Sequence, residues 1–115
     1  MVIRRGDVVW VGFDAPRGSE PAKIRPSLVI QDDWINESGI ATIVIIPFTS
    51  QVRLQVFPGN VFIPAAASGL DKDSVAVVPQ IGPVSRELIE PHPVGHLPGY
   101  LMAEVSAAVR LLLAV

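Results

Sequence analysis

The segment from Ile40 to Pro47, IATIVIIP, constrains the fold more than any other part of the chain, because it is almost entirely apolar. A short apolar run of this kind, after a turn region at Asp32–Gly39, predicts a strand that is buried on both faces. The chain can supply a core, since half of its 115 residues are apolar and 17% are charged. A chain of this length predicts a single domain over residues 1–115.

Shorter segments rich in β-branched and aromatic residues predict further strands. These segments are Asp7–Phe13, Ser27–Gln31, Leu54–Phe57, Asn60–Pro64 and Val75–Val78. Pro58 and Gly59 separate the third segment from the fourth, which predicts a hairpin. The polar stretches Asp14–Ile24 and Gly69–Ser74 predict a long loop and a turn, respectively.

The last third of the chain has a different character. Glu90–Gly99, EPHPVGHLPG, contains too much proline and glycine for regular structure. From Tyr100 onward apolar residues recur every three or four positions, which predicts an amphipathic helix that runs to the chain end. Five or more short strands and one closing helix predict a mainly β fold: a small curled antiparallel sheet, or partly open barrel, with a C-terminal α-helix.

Composition excludes several classes of protein. The chain has no cysteine, so disulfides, thiolate nucleophiles and cysteine-ligated zinc are excluded. The N-terminus does not resemble a signal peptide, and no apolar run reaches the roughly 18 residues that span a bilayer. These features predict a cytoplasmic protein without a membrane partner. A glycine-rich phosphate loop and a Gly-x-Ser-x-Gly elbow are also absent, which argues against most nucleotide-dependent enzymes and serine hydrolases.

Charge is distributed unevenly along the chain. The formal net charge of −2 argues against a general nucleic-acid binder. Through Arg53, however, there are six basic and six acidic residues, whereas from Leu54 onward there are three and five. The first half can therefore form a local cationic face, although an evenly solvated surface fits the same counts.

The two histidines do not predict a metal site. His92 and His96 are four residues apart, but Pro93, Gly95 and Pro98 prevent the helix that this spacing would need, and no carboxylate completes a ligand set. Two interpretations remain for the pair. They act as a general acid–base pair, or they are loop histidines that face water.

Arg25 and Thr49 are the strongest candidates for chemistry. Arg25 lies between the long loop and a strand and is followed by Pro26. Its planar guanidinium can hold two phosphate oxygens and stays charged at any working pH. Thr49 and Ser50 follow the buried strand, where their hydroxyls can donate to the same phosphate. A purely structural interpretation is also open, in which Arg25 pairs with Glu20 and Thr49 caps a turn.

The segments that carry these residues resemble the MazF/PemK family of toxin endoribonucleases. The matching segments are Gly6–Trp10, Gly18–Glu20, Arg25–Ile30, Asn36, Pro47–Ser50, Pro58–Val61, Gly69–Ser74 and Gln80–Ile81. Each motif is weak alone, but together they match the family in order and spacing over nearly the whole chain, which is specific. The resemblance implies a small SH3-like barrel or curled sheet with a C-terminal helix, a homodimer, and sequence-selective cleavage of single-stranded RNA without metal or other cofactor.

The resemblance also implies roles for individual residues. Arg25 corresponds to the family's catalytic arginine, and Thr49 to the hydroxyl residue that hydrogen-bonds the phosphate. The ribose 2′-hydroxyl attacks the adjacent phosphate, which leaves a 2′,3′-cyclic phosphate and a 5′-hydroxyl. Substrate contacts are expected from Ser19, Glu20, Lys23, Ser50 and Gln80.

Three departures from the family pattern affect these expectations. Pro21–Ile24, PAKI, is stiffer and more basic than the glycine-containing run that members commonly carry. Gly82 and Pro83 stand where many members have an arginine after Gln-Ile. Some members use a histidine and an arginine–aspartate pair instead. Those positions are occupied here by Ser19, Val77 and Pro79. Only the mechanism based on Arg25 and Thr49 is therefore available.

The implied partners are a second copy of the chain and a small antitoxin whose disordered tail folds along the dimer groove, forming a toxin–antitoxin hetero-oligomer. The apolar stripe that extends to Val115 fits either dimerisation or packing on the chain's own barrel. Two other functions stay open. The missing arginine after Ile81 fits a weak or inactive RNA- or partner-binding module. A gyrase-binding toxin of the same fold is disfavoured. That family ends in an exposed segment with a tryptophan, and in this chain no tryptophan follows Trp34.

Overall fold

A computed structural model describes residues 2–13 and 23–115 of the chain. Within these ranges, antiparallel strands form one curled sheet. The strands are β1 (Asp7–Gly12), β2 (Ile24–Val29), β3 (Thr42–Thr49), β4 (Val61–Ile63), β5 (Ser74–Ala76), β6 (Gly82–Ser85) and β7 (Gly95–His96). The α-helices are α1 (Asp33–Asn36), α2 (Ala65–Ser68) and α3 (Gly99–Leu113). The mainly β fold with a C-terminal helix is confirmed.

Strand β3 organises the sheet because it pairs with three other strands. It pairs with β2 along Ile45–Pro47, with β6 along Thr42–Ile45, and with β5 at Phe48 and Thr49. The strand order is β4-β5-β3-β2-β1-β7, and β6 also lies against β3. The edge of β3 that faces away from β2 is thus shared between β6 and β5.

The side chains of β3 are buried on both faces of the sheet, as the apolar run predicts. Ile46 and Phe48 pack into a cluster that α3 covers with Leu101 and Val105. Ile43 and Ile45 point to the other face. On that face they belong to a second buried cluster, which also contains Ile3, Val9, Val11, Val29 and Ile89. Burying one such side chain stabilises the fold by about 1.5–3 kcal/mol, so β3 contributes to both halves of the core.

The predicted hairpin around Pro58 and Gly59 is wrong. Val52–Val56 forms a 3₁₀ helix, and β4 pairs with β5 instead of with that segment. The apolar residues just before the turn do not pack into the core, since Val56 is 77% exposed and Phe57 is 57% exposed. The Asn60 side chain closes the loop by donating to the Leu54 carbonyl at 3.0 Å.

Other element boundaries differ from the sequence predictions. Strand β2 begins at Ile24 rather than Ser27, because pairing with β1 extends to Gly12 opposite Ile24. Strand β5 ends at Ala76, where a 3₁₀ helix over Val78–Gln80 follows. The short β7 lies within Glu90–Gly99, a segment predicted to be irregular, and α1 lies within the predicted turn. Strand β6 was not predicted, since Gly82 and Pro83 are poor strand formers.

Helix α3 confirms the predicted amphipathic segment. Leu101 and Val105 are buried, whereas Leu111, Leu113 and Val115 are 72%, 52% and 86% exposed. The helix therefore buries its first half on the sheet and leaves an apolar C-terminal end in contact with solvent. In the described ranges, no helix is both long and apolar enough to cross a membrane.

The loop after α2 is held by a close backbone contact. A Cβ atom built on Gly95 would lie 2.1 Å from the Ser68 carbonyl oxygen, and one on Gly69 would lie 2.2 Å from the Val94 carbonyl oxygen. Asp73 accepts the Ala65 N–H at 2.8 Å, which ties the end of this loop to the start of α2. Two glycines thus allow β7 to fix the segment between α2 and β5.

We expect Gly95→Ala to lower the free energy of unfolding by about 1–3 kcal/mol, because the added methyl group overlaps backbone that cannot move away. Gly99→Ala is the matched control, since a Cβ there meets nothing within 4 Å. Its effect should stay within about 0.5 kcal/mol. Urea unfolding of both variants measures the difference, and equal stabilities would show that the contact does not constrain the fold.

Candidate active site

An open cleft of about 440 Å³ lies where β2 and β3 separate. Its lining residues are Trp10, Arg25, Pro26, Phe48, Thr49, Ser50, Leu70, Asp71, Lys72 and Ser74. Pairing of β2 with β3 ends at Ser27 opposite Pro47, and β3 continues against β5. The cleft therefore opens at the point where β3 loses its contact with β2.

Pro26 gives a physical reason for this separation. The Ile30 N–H donates to the Val44 carbonyl, and the same register places Pro26 opposite Phe48. A proline has no N–H to donate, so the ladder cannot continue there. The Phe48 carbonyl instead accepts a hydrogen bond from Nη2 of Arg25 at 3.2 Å. The dipeptide Arg25-Pro26 thus ends the ladder and supplies the replacement donor.

The guanidinium of Arg25 is oriented by neutral groups. Besides the Phe48 carbonyl, it donates through Nη1 to Oε1 of Gln80 at 3.4 Å. Its Cζ atom lies 5.9 Å from the centre of the Phe13 ring, within cation–π range. Neither acceptor carries a negative charge, so these contacts orient the cation without neutralising it. An oriented and partly buried guanidinium is suited to bind a phosphate.

Thr49 ends β3 and also lines the cleft. Its Oγ1 accepts the N–H of Gln51 at 3.2 Å, so the side chain caps the turn that leaves the strand. This contact uses an acceptor position of the hydroxyl and leaves its proton able to donate to a ligand in the cleft. Ser50 follows on the exposed side of the same cleft. The turn-capping interpretation of Thr49 is therefore correct and compatible with a role in binding.

The structure brings some of the other candidate residues to the cleft. Gln80 reaches it through Arg25, at the end of the 3₁₀ helix over Val78–Gln80. Lys23 is exposed just before β2 and is not among the lining residues. Ser19 and Glu20 lie outside the described residues, as does the proposed pairing of Glu20 with Arg25.

The histidines lie away from the cleft. Nδ1 of His96 is 3.0 Å from a carboxylate oxygen of Asp7, at the start of β1, whereas Trp10 and Gly12 lie toward the cleft end of that strand. His92 is exposed in the loop before β7. Among residues 2–13 and 23–115, no three histidine, aspartate or glutamate side chains gather as possible metal ligands.

Sequence reasoning missed one wall of the cleft. Trp10 lies in an apolar strand, where a tryptophan is expected in the core or as a base-stacking residue, and it is only partly buried and lines the cleft. Leu70, Asp71 and Lys72 were assigned to a turn with no role of their own. The close contact of Gly69 with β7 brings that turn to the cleft, and a contact of this kind leaves no trace in local sequence pattern.

Comparison with known proteins gives a consistent result over nearly the whole chain. Residues 4–113 match the family described as PemK-like, MazF-like toxin of type II toxin-antitoxin system. Endoribonuclease MazF6 of Mycobacterium tuberculosis is 42% identical over 113 residues, which cover 98% of both chains. Endoribonuclease EndoA of Bacillus subtilis is 32% identical over 99% of this chain and 97% of its own.

Solved structures agree with these sequence matches. The crystal structure of MazE-MazF from Deinococcus radiodurans (Form-II) superposes with a TM-score of 0.81 and 25% identity, covering 100% of this chain and 98% of that one. Mycobacterium tuberculosis toxin MazF-mt6 has a TM-score of 0.77 and 16% identity, covering 95% and 97% of the two chains. The second likeness concerns the fold alone.

The contacts of Arg25 predict that its side chain matters little for stability. Its hydrogen bonds go to neutral acceptors and it is partly exposed, so Arg25→Ala should lower the free energy of unfolding by about 1 kcal/mol or less. Ile46→Ala, at a fully buried position, should cost about 2–5 kcal/mol. Chemical denaturation compares the two. A loss for Arg25→Ala as large as for Ile46→Ala would identify Arg25 as a structural residue.

Proposed function

Because this chain belongs to the PemK-like, MazF-like family of toxins of type II toxin-antitoxin systems, we propose that it cleaves single-stranded RNA, with mRNA as the expected target, sequence-selectively and without a metal ion. The relatives that are 42% and 32% identical are named endoribonucleases. The observation that carries the proposal is the oriented Arg25 guanidinium beside Thr49, in a cleft that a strand separation leaves open.

The proposed reaction needs few groups from the protein. The ribose 2′-hydroxyl gives up its proton to water as its oxygen attacks the adjacent phosphorus. The bond to the 5′-oxygen of the next nucleotide breaks and that oxygen takes up a proton from water, so the products are a 2′,3′-cyclic phosphate and a 5′-hydroxyl. Negative charge on the non-bridging oxygens increases as the phosphorane forms. A preorganised donor at those oxygens lowers the barrier because it gains strength as the charge develops.

Arg25 and Thr49 are suited to this task. The Phe48 carbonyl and Gln80 orient the guanidinium through neutral contacts, so its charge is available to the phosphate. The Thr49 hydroxyl can donate a second hydrogen bond, while Gln51 holds its oxygen. Ser50 and Gln80 are expected to contact the substrate, and Gln80 also orients Arg25. Ser19, Glu20 and Lys23 are expected to contact RNA from the loop before β2.

We expect purified protein to cut a long single-stranded RNA in EDTA and to leave 5′-hydroxyl ends at defined sites. Arg25→Ala should reduce the cleavage rate by at least about 100-fold, and Thr49→Val should reduce it roughly 10- to 100-fold, because each removes a donor to the developing charge. Arg25→Lys keeps the charge but loses the planar fork, so it should not restore the wild-type rate. End mapping and initial rates provide the measurement.

Arg4→Ala is the matched control, because Arg4 is exposed before β1 and does not line the cleft. It removes the same charge and should keep the wild-type rate. An Arg25→Ala enzyme with full activity would refute the mechanism. Wild-type protein that binds RNA without cutting it would favour the inactive binding module, and activity that EDTA abolishes would contradict metal independence.

The proposal includes a cytoplasmic homodimer that a cognate antitoxin neutralises. The family description names a type II toxin-antitoxin system, and the solved relative from Deinococcus radiodurans is a MazE-MazF structure. In this chain the C-terminal end of α3 leaves Leu111, Leu113 and Val115 largely exposed, and apolar exposure at the end of a helix is suited to burial against another chain.

We expect light scattering at micromolar concentration to give twice the monomer mass. Leu113→Glu should shift the protein toward monomer, because it places a charge on the apolar end of α3. Arg86→Lys should not, because Arg86 lies outside α3 and its side chain donates to the Asn36 carbonyl. The monomer mass for wild-type protein would contradict the homodimer, and a dimer insensitive to Leu113→Glu would move the interface away from α3.

A further inference from the structure

The apolar side chains that line the cleft have no part in the proposed phosphate chemistry. They belong to Trp10, Pro26, Phe48 and Leu70. Phe48 is only 1% exposed, so it contributes mainly to the floor. Pro26 and Leu70 are small or aliphatic. Trp10 is the one large aromatic side chain of the cleft that is partly exposed.

Trp10 differs from its neighbours in the strand. Val9 and Val11 are 1% and 0% exposed and belong to the core on the other face of the sheet. Trp10 lies opposite Pro26, and Val11 lies opposite Arg25. Although the alternation of side chains places Trp10 and Arg25 on opposite faces of the paired strands, both line the same cleft, where the ladder to β3 ends. A flat aromatic surface in that position is suited to a nucleobase.

We infer that Trp10 is a base-stacking residue, which receives the base of a nucleotide that flanks the scissile phosphate on Arg25. The inference rests on the proposed function and adds a recognition element to the same cleft. Aromatic stacking accepts any base, because every base has a π-face. Asp71 and Lys72, on the facing loop of the cleft, are placed to hydrogen-bond the edge of the stacked base and to discriminate between bases.

The test is a double-mutant cycle between protein and RNA. A short RNA with one mapped cleavage site is prepared intact and with an abasic nucleotide on either side of the scissile phosphate. The value of kcat/KM is measured for each RNA with wild-type protein, Trp10→Leu and Trp10→Phe. Trp34→Phe is the control, because Trp34 is 80% exposed on α1, beyond the other end of β2.

With wild-type protein, one of the two abasic RNAs should lose at least about 5-fold in kcat/KM, the lower end for aromatic stacking. Trp10→Leu should lose a similar factor on intact RNA and nothing further on that abasic RNA. Trp10→Phe should restore most of the loss. A purely structural role for Trp10 predicts instead that Trp10→Leu lowers all rates and leaves the abasic penalty unchanged, which overturns the inference.

A binding measurement separates this inference from the proposed function. In the Trp34→Phe variant Trp10 is the sole tryptophan, so its fluorescence reports on the cleft alone. The probe is a single-stranded oligonucleotide of the test sequence that lacks 2′-hydroxyls and cannot be cut. Quenching that saturates with the probe supports stacking on Trp10, even if the protein proves unable to cleave RNA. Cleavage of RNA without quenching refutes the stacking and leaves the proposed function intact, and the absence of both refutes both.

Discussion

The missing N–H of Pro26 is the constraint on which the cleft depends. Antiparallel strands remain paired where each can satisfy the other's backbone groups, and a proline removes one donor from the ladder. At the level of Phe48 the carbonyl is satisfied by the side chain of Arg25 instead, at 3.2 Å. The Arg25 side chain thus donates where the backbone of Pro26 cannot. The two strands separate there, which opens the cleft and fixes the Arg25 cation within it.

The rest of the sheet lowers the free-energy cost of this separation. Strand β3 keeps a neighbour on its other edge, since β6 pairs with its first half and β5 with Phe48 and Thr49. Its apolar side chains are buried on both faces, which holds it in place independently of the ladder to β2. The contact of Gly69 and Gly95 positions the opposite wall of the cleft. Packing and close backbone contacts therefore hold the described walls of the cleft in place, as preorganised binding requires.

The lining of the cleft combines two kinds of surface. Arg25, Thr49 and Ser50 offer charge and hydroxyl donors, whereas Trp10, Phe48 and Leu70 offer apolar area. A single-stranded nucleic acid has the same duality, with a phosphate and a flat base in each nucleotide. Among residues 2–13 and 23–115, the acceptors that orient Arg25 are neutral, so these contacts leave its charge available to a ligand although the chain as a whole carries a formal charge of −2.

The chemistry of the side chains and the family resemblance indicated Arg25 and Thr49 as the candidate pair. The sequence by itself determined the elements that local pattern encodes: the doubly buried strand β3, the helix α3 and the mainly β class. Side-chain periodicity and composition reflect which faces are buried, so these features can be inferred from one chain. Only the tertiary structure decided that Leu54–Phe57 forms no strand, that β2 begins at Ile24, and that Trp10 and the Leu70–Lys72 turn line the cleft. Those features depend on which distant backbone lies opposite a residue, and contacts across the sheet are not encoded in the residues' immediate neighbours.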